Sequence, residues 1–265
     1  MTTLTSGEYI AHHLHNLDFN LKTMSFNANG GFSTIHLDTM IVSWVLGLLF
    51  LGFFYLIARK CSSGVPTGLQ NFVEAIIEWI DQISIDNFSK KSPLIAPLAL
   101  TVFIWVFLMN FMDLVPIDLV PRIAEACGAK YFRAVPTADA YTTFALSISV
   151  FILLVFYNIR YKGFFGVIKE ILLQPFGLYL LPLNVFFHAM EAFVKPFSLS
   201  LRLFGNLFAG EMIFILIAAL VPWYVQWMIG VPWALLHGLI ISIQAFIFML
   251  LTVVYLNMAV VLHEE

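Results

Sequence analysis

The stretch SLSLRLFGNLFAGEMIF (198–214) places an arginine, an asparagine and a glutamate inside an otherwise apolar run. A charge at membrane depth costs at least ~2.5 kcal/mol, so it is retained mainly where it has a task. Arg202 keeps its proton and is a permanent cation, whereas Glu211 takes up and releases protons. One fixed cation and one exchangeable site on a single intramembrane helix point to proton handling rather than to packing alone.

The surrounding chain fits that setting. Of 265 residues, 61% are hydrophobic and 11% charged, where a soluble domain is nearer a quarter charged. The apolar runs are long and unbroken, so the expected class is an all-α polytopic membrane protein; a membrane β-barrel would alternate apolar and polar residues. A net charge of −3 names no partner, and nothing suggests nucleic acid. Cys61 and Cys127 fall in loops expected on opposite sides of the bilayer, which argues against an intrachain disulfide. Residues 1–37 are polar and lack the charged and apolar regions of a cleavable signal peptide. His12, His13 and His15 lie close together there, but with no acidic or cysteine partner nearby they are read as part of a flexible solvated tail rather than a metal site.

Three charge-free runs, 39–58, 92–112 and 140–159, are each long enough to cross a hydrocarbon core as upright helices. Pro93 and Pro97 sit in the first turns of the second run, where proline is tolerated. Between the first two runs, Leu69, Phe72, Val73, Ile76, Ile77, Ile80 and Ile83 recur at helical spacing with Glu74, Glu78, Asp81 and Asp86 largely opposite. That pattern predicts an amphipathic helix lying on the membrane, its acidic face either solvated or turned to a protein neighbour. The mixed stretch 113–139 reads as a loop. Its Asp113 and Asp118 edge a helix end, either lining a water-filled entrance or simply solvated. Loops 59–92 and 160–170 hold seven basic residues, against four in 113–139 and the N-terminal tail. This places the first two loops in the cytoplasm and the N-terminus outside.

The rest divides differently. Residues 171–220 hold Glu191, Lys195, Arg202 and Glu211 among mostly apolar neighbours, and 212–263 contain no Asp, Glu, Lys or Arg. The Trp- and Tyr-rich stretch 222–232 reads as an interfacial turn, giving two antiparallel helices, about 181–220 and 231–258. At 1.5 Å per residue they are roughly 60 and 42 Å long. Both exceed an upright crossing, so a strongly tilted or broken hairpin is expected, with Pro196 as the bending point. The parts are then a tail (1–37), a region of upright and interfacial helices (38–170) and the hairpin (171–265).

Folding that hairpin antiparallel brings its polar residues to matching heights. Arg202 and Asn206, four apart, share a face of the first helix, as His237 and Gln244, seven apart, do on the second. Counted from the turn, Gln244 falls level with Arg202, and His237 with Glu211. The first pairing would orient the arginine; the second is a titratable acid–imidazole couple suited to relaying protons. Polar glue between membrane helices is the plainer reading, and it suits Gln244 and Asn206 better than Arg202.

On these residues the sequence resembles subunit a of the F-type ATP synthase in its proteobacterial form. The likeness rests on SLRLFGNLFAGE (200–211), on His237 with QAFIFMLLTVVY (244–255), and on FLMNFMDLVPIDL (107–119); it extends over almost the whole chain. It implies that Arg202 is the stator arginine facing the c-ring, whose subunits each carry a membrane-embedded carboxylate. It implies that Asn206, Glu211 and His237 line an access channel from the periplasm, that Gln244 partners the arginine, and that Asp113 and Asp118 match acidic positions at the entrance. His188 is a departure, because some bacterial relatives carry an acidic residue there. With Glu191 one turn on, both are candidates for lining that end of the hairpin. The implied partners are the c-ring, the b subunits of the peripheral stalk, membrane lipids and protons. The implied location is the bacterial inner membrane, with the C-terminus cytoplasmic and neither cofactor nor metal. His237 beside Glu211 favours protons over sodium. No GxxxxGK[ST] phosphate loop is present, so ATP chemistry would belong to other subunits. Two rivals fit less well. A secondary transporter using Arg202 to bind an anion would be expected to show internal repeats. An intramembrane hydrolase would need HExxH or GxSxG, and HAME (188–191) is not equivalent.

Overall fold

Charge-free runs leave the chain one way to satisfy its backbone in an apolar medium, which is helix. The computed structural model describes residues 7, 16–26, 34–61, 64–66, 68–88, 94–116, 119–126, 132–174 and 176–260. His12, His13, His15, Asp118 and Cys127 lie outside the described residues. Seven α-helices are described: α1 (Leu37–Arg59), α2 (Leu69–Asn87), α3 (Ile95–Phe111), α4 (Leu119–Ala126), α5 (Ala140–Leu173), α6 (Leu181–Leu220) and α7 (Gln226–Val260). Five stretches, Leu37–Arg59, Ile95–Leu114, Ala140–Leu173, Leu181–Leu220 and Gln226–Met258, are long and apolar enough to cross a membrane.

Four features depart from the sequence reading. The N-terminal region is not only a loose tail, since β1 (Asp18–Asn20), β2 (Ser25–Phe26) and β3 (Thr34–His36) form an antiparallel sheet in the order β2-β1-β3. A small sheet thus accompanies a fold that is otherwise helical, with five membrane-length helices as expected of an all-α polytopic membrane protein. The expected loop 160–170 is helical instead: α5 continues to Leu173 and changes direction at Gly163 (φ 72°, ψ 161°), a conformation a residue with a Cβ rarely adopts. The hairpin turn is shorter than expected, because α7 begins at Gln226 with Pro232 inside it. Pro232 is its seventh residue, beyond the first four N–H groups that lack intrahelical partners, so it removes the bond a donor there would make to the Met228 carbonyl. The stretch 113–139 holds α4 and two short 3₁₀ turns, Met112–Leu114 and Pro136–Ala138. Pro196 lies inside α6, which carries through it as one 40-residue helix.

The chain forms two compact units. The first comprises the described residues of Met1–Tyr55, Ile104–Thr142 and Leu203–Ala245; the second, those of Leu56–Phe103, Thr143–Arg202 and Phe246–Glu265. The core of the second unit gathers Ile80, Phe88, Ile95, Ala99, Tyr157, Met249, Val253 and Leu256. Val73, Ile76, Ile80 and Ile83 of α2 point inward, while Leu69, Phe72 and Ile77 stay exposed. The turn from α5 into α6 is tied by buried Asn184, which accepts from the Phe176 N–H and donates to the carbonyls of Leu172 and Gly177. The first unit packs Met109, Leu203, Leu207, Ile215 and Ile241 in full burial. There Trp105 Nε1 donates to the Ser43 carbonyl, 3.0 Å away, fixing α3 against α1.

Candidate functional site

In the first unit α6 and α7 lie side by side. Asn206 Nδ2 donates to Gln244 Oε1 at 2.9 Å. Nearer the turn, the Phe214 ring stands 5.6 Å from His237 and 6.3 Å from Trp233. Between these contacts the helices approach so closely that a Cβ on Gly210 would lie 2.0 Å from His237 Cε1. Glycine is the one residue that fits there, and it sets His237 against the helix turn carrying Glu211.

His237 and Glu211 are both buried, 1% and 6% exposed, and each takes a partner from outside the hairpin. His237 Nε2 lies 2.6 Å from Asp113 Oδ2, and the imidazole stacks on Trp233 with centroids 5.8 Å apart. Buried Asp113 is thus no solvated loop carboxylate. Glu211 is gripped by Arg133, whose Nε donates to Oε1 and Oε2 at 3.1 and 3.2 Å while its Nη2 contacts Oε2. Burial by itself would lower the Arg133 pKa, but the hydrogen bond and charge of Glu211 hold it above its ordinary value. Arg133 therefore remains a fixed cation, stacked 5.9 Å over the Phe208 ring. Buried charges persist where they are paired and hydrogen-bonded, and here one cation and one imidazole each meet a carboxylate. A cavity of about 20 Å³ lies among Asp113, Arg133, Glu211 and apolar neighbours including Met112 and Val135. That is about the space one water molecule requires.

Arg133 escaped the sequence reading, where it counted only as a loop charge. Its local signal is slight, an arginine between aromatic and apolar neighbours in YFRAVP. Its role comes from a partner 78 residues away.

Arg202 and Asn206 are exposed on α6. Among the second unit's residues, His188 and Glu191 line a cavity of about 300 Å³ with Gln174, Phe176 and Phe187. His188 Nε2 is buried there without a hydrogen-bond partner, while Glu191 pairs with Lys195 at 2.6 Å. Among the described residues no group of three or more His, Cys, Asp or Glu is arranged to hold a metal.

Comparison with known proteins shows the family of the chain. Residues 40–257 match the family described as ATP synthase A chain. The chain is 55% identical to ATP synthase subunit a of Coxiella burnetii (strain CbuG_Q212) over 98% of both chains. It is 53% identical to that of Alkalilimnicola ehrlichii over the full length of both. With that of Vibrio alginolyticus it shares 50% identity over 99% of this chain and 96% of the relative. A hairpin whose buried acid and imidazole pair with residues of the neighbouring 113–139 stretch thus belongs to a chain of the ATP synthase subunit a family.

Proposed function

We propose that this chain is the proton-conducting stator of a rotary ATP synthase in the bacterial inner membrane. In this reading it passes protons to and from the carboxylates of a turning c-ring and is held in place by the b subunits. The observation that carries the reading is the buried set Glu211–Arg133 and His237–Asp113 in otherwise apolar surroundings, on the same helix as the exposed cation Arg202. Structure alone has little use for two buried ionisable pairs, since apolar residues of similar volume stabilise a fold as well or better.

With the N-terminus periplasmic and five crossings, the 113–139 stretch and the α6–α7 turn both fall on the periplasmic side, and the C-terminus is cytoplasmic. The residues that meet Glu211 and His237 come from that stretch, which supports a periplasmic half-channel opening there, with Asp118 among its candidate lining. A proton passes Asp113, His237 and Glu211 and neutralises a ring carboxylate, which can then turn into lipid; a charged one cannot do so cheaply. A carboxylate returning toward Arg202 is drawn into its ionised form and releases its proton into a second half-channel, for which the His188 and Glu191 cavity offers a lining. Arg202 keeps that site charged and blocks a direct leak, with Asn206 and Gln244 ordering the helix faces around it. A strong tilt of α6 and α7 lets helices of this length stay within the bilayer. About 2.3 kcal/mol per charge per 100 mV is the drive available. Family membership leaves the anion-transporter and hydrolase readings without support.

The deciding experiment is ATP synthesis driven by a proton gradient in inverted membrane vesicles. Arg202→Ala is expected to abolish synthesis while the complex still assembles. Normal synthesis by that variant would remove Arg202 from this role.

A further inference from the structure

Asp38 stands at the start of α1, fully buried, 95 residues before its partner Arg133. Its carboxylate faces three backbone N–H groups from three parts of the first unit. Oδ2 accepts from Leu17 and from Arg133, both at 3.0 Å, and Oδ1 accepts from Thr39 at 2.9 Å. A buried carboxylate is stable only when so satisfied, and the N-terminal turn of α1 adds the favourable end of a helix dipole.

Arg133 is held twice: its backbone by Asp38, its guanidinium by Glu211. Holding the main chain fixes the point from which the Arg133 side chain departs, and bidentate pairing with a carboxylate depends on reach and direction from that point. In the same unit, His36 Nδ1 lies 2.9 Å from Asp139 Oδ2 and Nε2 lies 3.4 Å from Asp18 Oδ1. The small sheet and the Asp38 carboxylate therefore form one support behind Arg133.

We propose that Asp38 is a positioning residue: it aims the Arg133 guanidinium at Glu211 through a hydrogen bond to the Arg133 backbone, although it touches neither Glu211 nor a ring carboxylate itself. The role rests on the reading that Glu211 lies on the proton path. It makes the N-terminal sheet part of the working site rather than a mere cover. It also makes a specific demand, because Asn at position 38 has one acceptor oxygen for a site that presents N–H groups to both.

The test is carbodiimide labelling of Glu211 in the purified, assembled complex, read by peptide mass spectrometry, together with ATP-driven proton pumping. Asp38→Asn is expected to raise Glu211 labelling about tenfold, the scale of losing a charge-assisted hydrogen bond, and to leave Glu191 labelling unchanged. Arg133→Gln is expected to raise Glu211 labelling at least as much, and Asp38→Asn added to it changes labelling by less than about twofold, since coupled residues are not additive. Unchanged labelling in Asp38→Asn overturns the proposal, as does an equal rise at Glu191 or a full additive rise in the double variant. If Asp38→Asn does not assemble, Asp38→Ser, which keeps one acceptor oxygen, is read the same way. Failure of the underlying reading is distinct: it appears as undiminished pumping in Glu211→Gln, whatever the labelling shows, and it takes the functional importance of Asp38 with it.

Discussion

The two halves of α6 handle charge in opposite ways. Over 181–202, within the second unit, Glu191 and Lys195 are four residues apart and bond at 2.6 Å, with the Glu191 side chain 47% exposed. Over 203–220, within the first unit, Glu211 is buried and its cation arrives from 78 positions upstream in the chain. The first pair needs only helical spacing, and at that exposure it contributes ~0.5 kcal/mol or less. The second exists only once 132–135 has folded onto the hairpin, and breaking it strands a charge indoors at a cost of about 3–5 kcal/mol. Local pairing makes a charge tolerable; remote pairing makes it part of a site.

Arg133→Ala attacks this contrast most directly. It is expected to destabilise the chain by about 3–5 kcal/mol, seen as a reduced amount of the subunit in membranes by immunoblot, with Glu211→Gln restoring part of it by removing the stranded charge. Next comes Gly210→Ala. Its methyl would overlap His237, so either the helices part or the imidazole leaves Asp113, a strain of about 1–3 kcal/mol. Lower proton pumping with near-normal assembly is the expected result; full pumping would mean that the close approach is dispensable.

A smaller effect follows pH. Chiefly through its hydrogen bond to Asp139, and despite burial, His36 has a pKa raised above 6.5. The bound proton is thus favoured in the folded form, and its contribution is complete below pH 6.5 and fades as pH rises through the raised value. Hydrogen-exchange protection of residues 16–26, taken relative to the base-catalysed intrinsic rate at each pH, is expected to be greatest at mildly acidic pH and to fall toward alkaline pH, with His36→Gln flattening that profile. At the low end, Glu191→Gln is expected to change stability by under ~0.5 kcal/mol. A loss comparable to that of Arg133→Ala would erase the distinction between the two halves of the helix.

Much of this was legible beforehand, and the exceptions share a cause. The five spans follow from apolar runs whose length is a property of the sequence itself. The hairpin heights at Glu211 and His237 come from counting along two helices, whereas the bond from Asn206 to Gln244, which the count set level with Arg202, came from the folded chain. The small sheet went unread because β1 and β3 are three residues each, too short for alternation to register. The path of α5 beyond Ile159 was hidden by its basic residues, which signalled a loop; Lys162 is instead folded back onto Glu170 at 2.7 Å. Arg133 and Asp38 resembled ordinary flanking charges because the atoms that define them are distant in sequence.

The amino-acid order by itself determined that this chain spans a membrane, where its charges sit along each helix, and to which family it belongs. Partition into lipid sums over some twenty neighbouring residues, and that sum can be taken from the chain as written. Only the tertiary structure decided that Glu211 meets Arg133, that His237 meets Asp113, and that Asp38 stands behind the arginine. Hydrogen bonds act within about 3 Å, and whether two remote residues come that close depends on the path of every loop between them.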